Sequence, residues 1–64
     1  MSITYREKLD AVRGWIYGRK TWLDGFGGPK SKFPQTLIEQ KRRDLAIMQA
    51  IAADYERAVQ TEAA

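Results

Sequence analysis

The side chains best equipped for chemistry in this chain are cations and aromatic rings, and both crowd its middle. Arg19, Lys20, Lys30, Lys32, Lys41, Arg42 and Arg43 face only Asp24 and Glu39 between residues 19 and 43, a local charge of +5 where the whole chain carries +3. Five of the seven aromatic residues, Trp15, Tyr17, Trp22, Phe26 and Phe33, lie in or beside the same stretch. Such a patch suits two tasks. It can neutralise phosphates while an exposed ring stacks on a base, or it can dock an acidic protein surface. The plainer expectation for Phe26 and Phe33 is that they fold inward and plug the end of a helical structure, with the lysines solvating the loop.

Other chemistry is poorly served. Gly25–Ser31 reads G-F-G-G-P-K-S and invites comparison with a phosphate-binding loop. That loop needs glycine immediately before its Lys-Ser/Thr pair and a strand ahead of it, whereas Pro29 stands there and the preceding segment is helical. The chain has no cysteine and no histidine, so disulfides, thiolate metal sites and the commonest general base are all missing. Asp54 and Glu56, two apart on a helix, face different directions and cannot converge on a cleft. Ser31 and Thr36 have no histidine to activate them. No enzyme activity is expected, and no catalytic, metal or cofactor-binding residue is assigned.

Two helices must position the basic, aromatic middle. Thr4 and Glu7 form a capping-box pattern, after which Tyr5, Leu9, Val12, Ile16 and Leu23 recur on one helical face, flanked by Ala11, Trp15 and Trp22. This predicts a first helix over about residues 5–23, with Asp24-Gly25 as its stop. Gly14 and Gly18, four apart, each cost about 1 kcal/mol against alanine inside a helix. They either form a smooth strip for a close backbone approach or break the helix near Gly18. Residues 24–34 hold Gly25, Gly27, Gly28, Pro29 and Pro34 and are predicted to be loop. The second helix has two candidate starts, Pro34 in its first turn or Thr36 with Glu39 as a second capping box. Beyond them Ile38, Lys41, Leu45, Met48, Ala52, Tyr55 and Val59 keep a strict three-four alternation, with Ile47, Ile51 and Ala58 in a stripe beside it. The helix is expected over about residues 35–60, with Gln60–Ala64 frayed.

The expected fold is all-α: residues 1–64 as a single antiparallel hairpin of two helices around a Gly/Pro-rich loop. Each helix carries an apolar arc wider than one neighbour covers, and a chain of 64 residues buries only a modest core. Dimerisation into a four-helix bundle, or a partner, is expected to complete it, with Trp15, Trp22, Ile47 and Ile51 as self-association contacts. Asp54, Glu56 and Glu62 make the far end of the second helix acidic and offer head-to-tail contact with the basic end of another copy. A hydrophobic content of 44% argues against wholesale disorder. No apolar run reaches the roughly 20 residues of a membrane span, and no signal peptide is visible in Met1–Lys8, so a soluble cytoplasmic protein is expected. The first helix mixes tryptophans with charges of both signs and needs its apolar face for the core, so membrane-surface binding is not expected.

The functional expectation is a small non-enzymatic interaction module that self-associates and presents its loop end to a protein partner. Arg19, Lys20, Phe26, Lys30, Lys32, Phe33, Lys41, Arg42 and Arg43 are the contact residues. Size and composition suit an accessory or inhibitor protein of bacterial or phage type. The alternative is nucleic-acid binding by the same basic loop-end patch.

Overall fold

Thr4 starts the first helix as its capping pattern predicts. Its backbone is extended, and its hydroxyl accepts a hydrogen bond from the Glu7 amide at 3.1 Å, which satisfies one of the orphan donors of the first turn. In the computed structural model, which describes residues 2–63, helix α1 spans Tyr5–Phe26 and helix α2 spans Gln35–Ala63, with no strand among the described residues. The two pack antiparallel as an all-α hairpin measuring 48 × 19 × 16 Å.

Two boundaries, the ends of the helices, differ from the sequence expectation, while α2 starts at the expected residue 35. α1 does not stop at Asp24-Gly25 but continues to Phe26, because the Trp22 and Phe26 rings, one turn apart, meet at 5.5 Å and hold the last turn. The stop is Gly27, whose amide donates to the Leu23 carbonyl at 2.7 Å. A β-carbon at Gly27 would lie 2.6 Å from that same carbonyl oxygen, so the close approach requires glycine. At the start of α2 the Pro34 carbonyl accepts from the amides of Leu37 and Ile38 at 3.1 and 3.2 Å. Thr36 therefore sits one residue inside the helix, and the second capping box is not the start. α2 also continues through Gln60 to Ala63 rather than fraying from residue 60; Ala64 lies outside the described residues. Thr61 lies in this last turn, its hydroxyl donating to the Arg57 carbonyl at 2.9 Å.

α1 is unbroken through Gly14 and Gly18, so neither glycine ends it. The core is narrow. Leu9, Val12 and Ala52 are buried together, with Ile16, Met48, Tyr55 and Val59 packed against them. Ile38 is fully buried nearer the loop. These residues follow the two periodic series of the sequence, so the seam forms where the spacing places it.

Candidate functional site

The loop end builds itself from three rings. Trp22 lies 5.3 Å from Phe33, and Phe26 meets Phe33 edge-on at 5.4 Å, so Trp22, Phe26 and Phe33 form a closed triangle. Edge and tilted contacts of this kind add roughly 0.5–1.5 kcal/mol each beyond burial. Phe33 is half-buried and Phe26 keeps 43% of its surface. The chain between the helices is held by short local bonds: the Ser31 amide donates to the Gly28 carbonyl at 3.1 Å, and the Ser31 hydroxyl accepts from the Phe33 amide at 3.2 Å.

The cations around this triangle divide into two sets. Lys41 places its ammonium 5.6 Å from the centre of the Trp22 ring, and Lys32 lies 5.7 Å from that of Phe33. Arg42 donates to the Gly27 carbonyl at 3.1 Å and thereby ties α2 to the cap of α1. Arg19 reaches Asp44 across the helix pair at 4.0 Å, while its buried Nε has no protein partner. Arg19, at the step that the α1 series skips between Ile16 and Leu23, and Lys41, the polar member of the α2 series, thus face groups of the chain itself. Lys20, Lys30 and Arg43 are exposed and make no ion pair among the described residues. Of the candidate contact residues, Phe26, Lys32, Phe33, Lys41 and Arg42 are joined by contacts at the loop end, whereas Lys20, Lys30 and Arg43 have no such contact among the described residues.

The second surface is a broad side of the hairpin. At roughly 100° per residue, Arg13 falls on one flank of the Leu9–Val12–Ile16 stripe and Arg19 on the other. Arg13 pairs with Glu56 at 3.2 Å across the first flank, and Arg19 with Asp44 across the second. Trp15 lies one turn before Arg19; Ile47 and Ile51 lie one and two turns after Asp44. All three therefore share the Arg19–Asp44 side, where they are 62%, 47% and 38% exposed. A groove of about 370 Å³ opens on this side, lined by Gly14, Trp15, Gly18, Arg19, Trp22 and Met48. Trp22 thus belongs to both surfaces: half-buried in the ring triangle, it also forms one wall of the groove.

The chain is extended for its mass. A 7.3 kDa globule is expected to expose roughly 4,200 Å². The hairpin exposes 5052 Å².

Two features escaped the sequence reading. Tyr5 and Tyr55 meet at 6.2 Å at the open end, with the Lys8 ammonium 5.2 and 5.8 Å from their ring centres. Asp54 and Glu56 each have a partner within the chain, Asp54 pairing with Arg57 and Glu56 with Arg13, and these exposed pairs leave the net charge of the open end unchanged. The spacing of Asp54 and Arg57, three apart on a helix, was a readable signal for the first pair. No helix among the described residues is long and apolar enough to cross a membrane. Comparison with known protein families, with curated proteins and with solved structures finds no match.

Proposed function

We propose that the chain is a small non-enzymatic interaction module that self-associates through its Trp15–Ile47–Ile51 side and offers its basic loop end to an acidic protein surface. The observation that carries this reading is the gathering of three large apolar side chains, all more than a third exposed, on one side of a hairpin that buries four apolar side chains among the described residues. Apolar surface left in water forfeits about 25 cal/mol per Å². The excess of roughly 850 Å² of total surface over a globule of this mass is close to the roughly 800 Å² that each partner contributes to a standard interface.

At the loop end, the rings argue for a protein partner over a nucleic acid. Base stacking needs an aromatic face left open for it, and Trp22, Phe26 and Phe33 are turned on one another. Lys20, Lys30 and Arg43 supply charge without rigid geometry, which suits the rim of a protein contact. The test is fluorescence anisotropy at low salt with a poly-glutamate peptide and, separately, single-stranded DNA. The account expects the peptide to bind and a Lys30→Glu, Arg43→Glu variant to lose it. Tighter binding of DNA, with a steep salt slope abolished in that variant, would replace the protein reading with the nucleic-acid one.

A further inference from the structure

We infer that the Trp15–Ile47–Ile51 side is covered by a second copy of this chain lying antiparallel, the loop end of each hairpin against the open end of the other, with a two-fold axis across the middle of both helices. This rests on the self-association proposed above and specifies its geometry. Three independent observations point to it.

The first is charge. Residues 19–43 carry +5 at the loop end, so the rest of the chain carries −2. Two hairpins stacked with loop ends together place like charge on like charge. The antiparallel stack places each basic end beside the open end of the other copy, where Asp54, Glu56 and Glu62 of α2 face Arg57 alone on that helix, and complementary potentials of this kind select one docking mode over another.

The second is position. Two-fold interfaces are self-complementary, and residues at the axis meet their own counterparts. The middle of α1 (Tyr5–Phe26) falls beside Trp15, and the middle of α2 (Gln35–Ala63) is Gln49, midway between Ile47 and Ile51. An antiparallel face-to-face stack sets α1 on α1 and α2 on α2, so these exposed apolar residues gather at the axis instead of straying to the ends.

The third is space. A β-carbon added at Gly14 or Gly18 would meet nothing within 4 Å, so the hairpin itself has no steric need for either glycine. Both bracket the middle of α1, where two copies of that helix would come closest, and Gly18 lines the groove beside Trp15.

The test uses a single spin label on Gln40→Cys in the otherwise cysteine-free chain, read by double electron–electron resonance. Gln40 is exposed and lies one turn before Asp44, on the proposed side. In the antiparallel stack it opposes Ala58 of the second copy, so the two labelled backbones stand roughly 27–30 Å apart at 1.5 Å rise per residue and 8–10 Å between helices. A distance in that range is the expected result. A dimer with labels within about 15 Å would overturn the antiparallel geometry while leaving self-association intact. A labelled chain that sediments as a monomer, like the unlabelled one, would remove the reading beneath it as well.

Discussion

The loop end and the middle of the hairpin handle their large side chains in opposite ways. At the loop end Trp22, Phe26 and Phe33 close on one another, Lys41 and Lys32 cover two of the rings, and Arg42 is tied to the Gly27 carbonyl. In the middle Trp15, Ile47 and Ile51 stand on one flank without such closure. Two helices can cover each other only along a seam. An irregular segment can fold its rings back over the end of that seam, but nothing among the described residues reaches round to cover a broad side. A partner therefore contributes most on the side: the rings of the end touch one another, with Phe26 still 43% exposed, whereas Trp15, Ile47 and Ile51 have no such ring contacts among the described residues.

The largest expected effect tests the shared seam on which both regions depend. Ile38→Ala, at a fully buried site, should cost about 2–5 kcal/mol. For a hairpin of this size that should abolish most helical circular dichroism at 25 °C, and a variant that melts like the parent would refute the seam. Next is Trp15→Glu, at a side chain 62% exposed, which should cost about 2–4 kcal/mol of association. Sedimentation should show dissociation at concentrations where the parent chain is dimeric, and an unaltered sedimentation coefficient would show that the side is not the interface.

Glycines sharpen the contrast at smaller amplitude. Gly27→Ala drives a β-carbon against the Leu23 carbonyl and should destabilise by about 1–3 kcal/mol in urea denaturation. Gly25→Ala, inside α1 with open space around it, should instead stabilise by about 1 kcal/mol. The reverse order would mean that the cap lies elsewhere. The smallest effect is Arg43→Ala, which should change melting by less than about 0.5 kcal/mol, as surface changes do, while weakening poly-glutamate binding severalfold. A large loss of stability would show that Arg43 is structural.

Much of this architecture was legible in the residues. The three-four spacing of Leu9, Val12 and Ile16, and of Ile38 through Val59, gave both helices and their mutual face, because burial on one stripe is a local periodic constraint. Thr4 and Glu7 marked the first start because a cap is satisfied within one turn. The end of α1 was not legible: Gly25 reads as a stop, and what carries the helix past it is the meeting of Trp22 and Phe26 with Phe33, seven residues further on and beyond the turn. Nor could spacing show that Arg19 and Lys41 find partners in Asp44 and Trp22, since those contacts depend on the register between helices. The exposed side was legible in part. Trp15, Ile47 and Ile51 stood out as excess apolar arc, but their gathering on a single side follows only from the Arg13–Glu56 and Arg19–Asp44 pairs.

Analytical ultracentrifugation of the unmodified chain at micromolar concentration tests the central claim most directly. A dimer of about twice 7.3 kDa is expected, its dissociation tracking loss of helix on dilution. A stably folded monomer under those conditions would contradict it.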